Sequence, residues 1–179
     1  MNMNKLYLGD CLHVLRNELE IQTESVDLIY IDPPFNSKRN YNVFFDDKEI
    51  QTQRVAFEDT WSLQSVGDSL TELDTIYHDK LLNLLNAYRD IAPQVFPYLV
   101  MMTLRIIELH KVLKPTGSFY LHCDPTASHY LKTILDAVFG VKNFRNEIIW
   151  KRTTNTGSSK AISKKYPSNT DIIFFYTKS

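Results

Sequence analysis

The chain is poor in cysteine, and its apolar runs are short. Cys11 and Cys123 lie far apart with no C-x-x-C pair, so the sequence suggests neither a disulfide framework nor a zinc knuckle. No apolar run reaches the roughly 18 residues needed to cross a bilayer. The polar start MNMNKLYLGD also lacks the apolar core of a secretory signal. We therefore expect a cytoplasmic protein that does not associate with membranes.

An excess of positive charge is missing as well. The net charge is -1, so no overall basic field draws the whole protein onto nucleic acid. The cations are nevertheless concentrated in residues 151–170, which hold five Lys or Arg and no acid, and the rest of the chain carries 15 basic against 21 acidic residues. Because this stretch is rich in Ser, Thr, Asn and Gly, it predicts a basic surface loop.

Apolar content and spacing predict a single α/β domain over residues 1–179. Hydrophobic residues make up 44% of the chain, which is enough to bury one sizeable core. Five short apolar runs predict strands, and most are continuous, as is typical of a sheet covered on both faces. The predicted strands are LYL at 6–8, VDLIYI at 26–31, SFYLHC at 118–123, EIIW at 147–150 and DIIFFYT at 171–177.

Helical patterns alternate with these runs. Apolar residues at helical spacing predict helices over 11–19, 73–91, 98–113 and 126–139. Alternating strands and helices favour right-handed crossovers and a mostly parallel sheet flanked by helices. Residues 36–69 are polar with scattered aromatics, which predicts a long functional loop.

The run VDLIYI is followed directly by Asp32, Pro33, Pro34 and Phe35. Ligands of an open parallel sheet collect at the carboxyl ends of its strands, where the Asp32 carboxylate is expected. Neither proline has a backbone N–H, so oxygen acceptors are held stiffly beside an aromatic ring. This arrangement suits a planar group with an NH2, such as a nucleobase swung out of its duplex. A rigid strand exit without a ligand is the alternative, and these residues alone leave both open.

Several blocks of the sequence together resemble a known family. DPPFNSKRNYN is preceded by LYLGDCLHVL and followed by KPTGSFYLHCDPTASHYLK and FRNEIIWKR. This order resembles the amino-terminal half of permuted (β-group) amino-methylating DNA methyltransferases, as in adenine-specific enzymes. The resemblance implies a Rossmann-like methyltransferase half. It also implies site-specific methyl transfer from S-adenosylmethionine to the N6 amine of a flipped adenine in double-stranded DNA.

The same resemblance implies roles for the residues of the DPPF motif. Asp32 and the Pro33 carbonyl would bind the exocyclic amine, Phe35 would stack on the base, and Pro34 would stiffen the turn. The transfer would be direct, without a covalent enzyme intermediate, so positioning and electrostatics would supply most of the catalysis.

Further roles are implied outside the motif. Asp10 and Cys11 would contact the adenine moiety of the cofactor, although Asp10 is also a favoured residue to cap the following helix. Cations near the predicted base pocket would contact DNA phosphates without reading sequence, unless they are ordinary solvated charges. These cations are Lys38, Arg39, Lys151 and Arg152.

The stretch LHCDPTASHYL offers two further polar residues at a strand end. His122 and Asp124 would line the base or cofactor pocket, but Asp124 is better suited to cap the helix that begins near Thr126. Two such side chains without a third at sensible spacing are a weak metal signal. We expect no metal, because methyl transfer needs none.

The chain departs from the family in one block. Family members need a glycine-rich turn, F-x-G-x-G, for close approach of the backbone to the methionine part of the cofactor. The five glycines, at 9, 67, 117, 140 and 157, are too far apart to form it. We therefore expect an incomplete, truncated or split methyltransferase that is nearly inactive alone, with a second polypeptide as the source of the missing part.

Two alternatives to adenine methylation stay open. One is N4-cytosine methylation, although that branch more often carries Ser at the position of Asp32. The other is a non-catalytic remnant that binds DNA or a partner through its basic loop and sheet edge.

Overall fold

The computed structural model describes residues 4–34, 40–47, 50–58, 62, 64–76, 80–152 and 169–179. Their helices are α1 Cys11–Leu15, α2 Gly67–Ile76, α3 Lys80–Ile91, α4 Phe96–Val112 and α5 Ser128–Phe139. Their strands are β1 Val26–Ile31, β2 Asn40–Asp47, β3 Ile50–Glu58, β4 Leu113–Cys123, β5 Phe144–Lys151 and β6 Thr170–Thr177. The contacts divide the chain into a sheet unit, Met1–Asp32 with Met102–Ser179, and a hairpin unit, Pro33–Met101.

The sheet unit is built on a four-stranded sheet with the strand order β1-β4-β6-β5. β1 runs parallel to β4, and the register pairs Ile29 with Phe119 and Ile31 with Leu121. β6 runs antiparallel to both of its neighbours, β4 and β5. The predicted α/β class is confirmed, but the predicted mostly parallel sheet is corrected, because among the described strands of this sheet one pair is parallel and two are antiparallel.

Alternation along β4 separates a core face from a half-buried face. Phe119, Leu121 and Cys123 are buried, whereas Tyr120 and His122 between them are only partly covered. Successive side chains of a strand point to opposite faces, so these two sets lie on opposite sides of the sheet. The side chain of His122 is therefore on the face away from the core.

Helix α5 packs its apolar stripe into the core of the sheet unit. Leu131, Ile134 and Leu135 follow helical spacing and are fully buried. At the end of the helix the ring of Phe139 lies 4.8 Å from the ring of Phe119 and 5.5 Å from that of Tyr176, between ring centroids. These aromatic contacts join α5 to β4 and β6 and fix the sheet that carries the candidate site.

The hairpin unit contains β2 and β3 as an antiparallel pair, with Phe45 opposite Thr52 and Asp47 opposite Ile50. Helices α2 and α3 and the first turns of α4 follow. Leu73, Leu85 and Phe96 are buried in this unit. The long loop predicted over 36–69 is therefore corrected, because much of it is a β-hairpin and its end is the start of α2.

Other predicted elements agree with the structure to different degrees. β1 coincides with the predicted run VDLIYI, and α4 and α5 agree within two residues. The predicted helix over 73–91 is two helices, α2 and α3, with 77–79 outside the described residues. The predicted strand at 6–8 is wrong, because Leu6 and Leu8 are fully exposed and belong to no strand.

No helix in the described part of the chain is long and apolar enough to cross a membrane. The predicted basic loop over 151–170 lies mostly outside the described residues. Its two ends are held together, because the backbone N–H of Arg152 donates to the carbonyl of Asn169 at 3.0 Å.

Candidate functional site

Three strands of the sheet unit bring ionisable side chains to one edge of the sheet. Asp32 follows the last residue of β1, His122 is the next to last residue of β4, and Asp171 is the second residue of β6. β1 and β4 are parallel, so both end at this edge, and antiparallel β6 begins there. The register pairs Ile31 with Leu121, which sets Asp32 and His122 side by side.

The imidazole of His122 lies between the two carboxylates. Its Nδ1 is 3.1 Å from Oδ1 of Asp32, and its Nε2 is 3.5 Å from Oδ2 of Asp171. On the far side of Asp171, Nε of Arg152 is 3.6 Å from Oδ1. We call Asp32, His122, Asp171 and Arg152 the edge cluster.

Burial changes steeply across the edge cluster. The Asp171 side chain is 7% exposed, that of His122 is 16% exposed and that of Asp32 is 59% exposed. A buried carboxylate is costly unless positive charge or hydrogen bonds compensate it. The Arg152 guanidinium lies 3.6 Å from Asp171 Oδ1, but within the described residues neither this oxygen nor Nε2 of His122 takes part in a hydrogen bond. The cluster therefore has a buried inner end and an exposed carboxylate at its outer end.

The other residues of the DPPF motif are described only in part. Pro33 and Pro34 are half-buried and are the first residues of the hairpin unit. Phe35, Lys38 and Arg39 lie outside the described residues. Of the two other predicted DNA-contacting cations, Lys151 is exposed at the end of β5, and Arg152 belongs to the edge cluster.

Asp10, a predicted cofactor residue, has the alternative role expected of it, that of a helix cap. Its Oδ1 accepts the backbone N–H of Leu12 at 2.8 Å, so Asp10 caps α1. Both of its oxygens also accept Nη2 of Arg105, at 2.9 and 2.8 Å. Cys11, the second predicted cofactor residue, is exposed. The Asp10 side chain remains 45% exposed, so capping leaves it accessible.

Asp124 closes the turn before α5. Its Oδ1 accepts the backbone N–H of Thr126 at 3.1 Å and that of Ala127 at 3.3 Å, and its Oδ2 accepts the Thr126 hydroxyl at 2.9 Å. The predicted capping role of Asp124 is corrected, because the N-cap of α5 is Ala127, whose side chain forms no cap hydrogen bond, and Asp124 closes the preceding turn instead.

Two further groups near the edge keep their protons at neutral pH. Burial raises the pKa of the Cys123 thiol, and the charges of Asp124 and Asp171 raise it further. Partial desolvation raises the pKa of the Tyr30 hydroxyl, and the charge of Asp32 adds to it. Because a protonated, buried thiol is a poor nucleophile, Cys123 is unsuited to covalent catalysis. Within the described ranges, no group of three or more His, Cys, Asp or Glu has the geometry of a metal site.

Sequence reasoning missed two residues of these clusters. Asp171 was read only as part of an apolar strand, although a charged residue next to the start of such a run was a usable signal. Arg105 looked like one more polar position on α4, and nothing in the local pattern links it to Asp10, which is 95 residues away.

Comparison with known proteins identifies the family. A family model described as DNA methylase matches residues 26–179. The Type III restriction-modification enzyme EcoP15I Mod subunit of Escherichia coli is 26% identical over 99% of this chain and 25% of its own length. The StyLTI Mod subunit of Salmonella typhimurium is 29% identical over 92% of this chain and 23% of its own. The chain thus spans about a quarter of the length of these curated relatives.

Among solved structures, PvuII DNA methyltransferase (cytosine-N4-specific) is similar to this chain with a TM-score of 0.49 and 16% sequence identity. The matched region covers 97% of this chain and 48% of the PvuII chain. The family match begins at the first residue of β1 and runs through Asp32 to the end of the chain. The chain belongs to the DNA methylase family of N6 and N4 methyltransferases.

Proposed function

We propose that this chain is the base-binding part of a DNA methyltransferase that methylates the N6 amine of an adenine swung out of double-stranded DNA. The observation that carries the proposal is the position of Asp32. Its carboxylate is 59% exposed at the carboxyl end of β1, directly before two residues that lack a backbone N–H. Membership of the DNA methylase family supports DNA as the substrate.

Asp32 would orient the amine of the base. One N–H of the adenine amine donates to the carboxylate of Asp32, and the second donates to the carbonyl of the adjoining Pro33. With both hydrogens held, the lone pair of the nitrogen is directed away from the acceptors and toward the methyl donor. Holding the reacting atoms in line is worth several orders of magnitude in rate, of order 10⁵ M or more in effective concentration.

The resident cofactor of this reaction is S-adenosylmethionine, which when bound supplies a methyl group on an electron-poor sulfur. The residues of this chain fit one part of it. Asp10 offers a partly exposed carboxylate next to the N-terminus of α1. The five glycines of the chain are too far apart in the sequence to supply the F-x-G-x-G turn that would cradle the methionine part. We propose that a glycine-rich turn outside these 179 residues completes the cofactor site.

No nucleophile of the edge is needed for the reaction. In a direct transfer the amine nitrogen would form the new bond to the methyl carbon while the bond from that carbon to sulfur breaks, and the nitrogen would then release one proton to water. Asp32 would hold the amine by hydrogen bonding alone, without a covalent bond. The protonated state of buried Cys123 supports this direct route.

The experiment that tests the proposal is nucleoside analysis of methylated DNA. The chain is incubated with unmethylated DNA and S-adenosylmethionine, alone and together with a polypeptide that carries a glycine-rich cofactor turn and a target-recognition region. The expected product is N6-methyladenine, formed by the supplemented wild-type chain and lost in Asp32→Ala. If the product is N4-methylcytosine, the substrate base is cytosine and not adenine. DNA binding without any methylated nucleoside would favour a non-catalytic role.

A further inference from the structure

We infer that His122 is a positioning residue that sets the orientation of the Asp32 carboxylate. This inference rests on the proposed function, because it gives Asp32 the role of amine acceptor. It adds a residue of β4 to a motif that is otherwise local in sequence.

The distances and the exposed fractions describe a row of neighbouring side chains that runs inward from the exposed Asp32 carboxylate. His122 Nδ1 is 3.1 Å from Asp32 Oδ1, within hydrogen-bond range, and carboxylate oxygens only accept, so Nδ1 is the donor. Nε2 of the same ring is 3.5 Å from Asp171 Oδ2. The exposed fraction of the side chain falls from 59% at Asp32 through 16% at His122 to 7% at Asp171.

An exposed carboxylate needs such support to act as an amine acceptor. The side chain of Asp32 has two rotatable bonds, and its terminal torsion is broad, so its two oxygens would otherwise exchange places freely. A donor fixed on Oδ1 selects one orientation and leaves Oδ2 for the amine. Supporting residues that hold a ligand-binding group change activity by about 10- to 100-fold when they are removed from metal sites, and the same order is expected here.

His122 is suited to this task because its own position is fixed from the other side. It lies in β4, whose register is locked by β1 on one side and by β6 on the other, with His122 opposite Ile173. Asp171 lies between the imidazole and the guanidinium of Arg152, at 3.5 Å from Nε2 and 3.6 Å from Nε. Two carboxylates, one guanidinium and one imidazole thus form a connected polar group rather than an isolated pair.

A purely structural role for His122 predicts something different. If the ring only compensates the charge of Asp171, a substitution that cannot do so would lower the free energy of unfolding and leave kcat unchanged. The two polar substitutions of histidine separate these roles. The amide nitrogen of Asn occupies nearly the position of Nδ1, facing Asp32, whereas the amide of the longer Gln reaches toward the position of Nε2, facing Asp171.

The kinetic test compares His122→Asn with His122→Gln in the supplemented methyl-transfer assay. We expect His122→Asn to keep kcat within about threefold of wild type and His122→Gln to lower it about 10- to 100-fold, with KM for S-adenosylmethionine little changed. Equal kcat values for both variants and wild type would overturn the inference. If Asp32→Ala is as active as wild type, the proposed function itself fails, and this outcome is distinct from the first.

A second readout does not depend on activity. In long-range ¹H–¹⁵N spectra of the 179-residue chain, the Nδ1 signal of His122 should move when Asp32 is replaced by alanine. Asp27→Ala is the matched control, since Asp27 is an exposed residue of the same strand that pairs with Lys114 at 2.7 Å. An Nδ1 signal that is unchanged by Asp32→Ala, or that moves equally in the control, would overturn the inference.

Discussion

Replacing Asp10 by alanine should lower the free energy of unfolding by about 1 to 2 kcal/mol. Two interactions are lost: the cap on the backbone N–H of Leu12 at 2.8 Å and the contacts to Arg105 Nη2 at 2.9 and 2.8 Å. A lost Asp cap typically costs about 1 kcal/mol. The ion pair is partly exposed, with side chains 16% exposed at Arg105 and 45% at Asp10, so screening limits it to about 0.2 to 1 kcal/mol.

Urea denaturation followed by circular dichroism measures this cost. Asp10→Asn keeps an oxygen for the N–H of Leu12 but loses the charge, so it should cost less than about 1 kcal/mol. Arg105→Gln removes the pair from the other side and leaves the cap, and the double variant closes a mutant cycle. An unfolding free energy of Asp10→Ala equal to that of wild type would refute the reasoning.

The same variants separate the structural role of Asp10 from the cofactor role that the family resemblance implies. If Asp10 contacts the cofactor, Asp10→Asn should weaken S-adenosylmethionine binding by the supplemented chain more than Arg105→Gln does. Equal losses in both variants would mean that the cofactor responds only to the shared ion pair.

Three further outcomes are expected. Burial lowers the pKa of His110 from its usual 6.5, so below pH 6.5 the unfolded chain binds more protons than the folded chain and the free energy of unfolding falls. The urea midpoint should therefore decrease less between pH 8 and pH 5.5 in His110→Leu than in wild type. Equal decreases in both proteins would contradict this. Lys151→Gln should reduce the slope of log K for DNA binding against log salt concentration by about 1, because Lys151 is exposed. Lys114→Gln is the control and should leave the slope unchanged, since Lys114 pairs with Asp27. Identical slopes in wild type and Lys151→Gln would argue against a phosphate contact. Calorimetry should find weak or no S-adenosylmethionine binding by the chain alone, and micromolar affinity would show that these residues suffice for a cofactor site.

Much of the sheet unit could be predicted from local patterns. Both ends of β1 were predicted to the residue, because the apolar run of six starts at Val26 and ends where Asp32 and Pro33 interrupt it. The three-residue run at 6–8 failed because so short a stretch carries no periodicity, and Leu6 and Leu8 have no strand to pair with among the described residues.

The β2–β3 hairpin was missed because its turn residues fit no short hairpin signature. Asp47 and Ile50 form the last pair, and the two residues between them in the sequence, Lys-Glu, are not the Asn-Gly or Asp-Gly of a favoured two-residue turn. Polar residues in both strands made the segment look like a loop. Pairing between strands that are both rich in polar residues is poorly encoded in hydrophobic spacing.

The edge cluster was only half predictable, for a topological reason. A parallel β6 would have placed Asp171 at the edge opposite to Asp32. The antiparallel direction of β6 brings Asp171 to the edge where β1 and β4 end, next to His122. Strand direction depends on long-range pairing, which the spacing of apolar residues in one strand does not report.

The central claim is that the Asp32 carboxylate binds the amine that is methylated. Single-turnover transfer of labelled methyl to unmethylated DNA by the supplemented chain tests it most directly, with Asp27→Ala as a control on the same strand. We predict that Asp32→Ala lowers the rate constant by about 100-fold or more, since one positioned polar contact in an active site is worth about that much, while Asp27→Ala keeps the wild-type rate. An Asp32→Ala rate within about threefold of wild type would contradict the account.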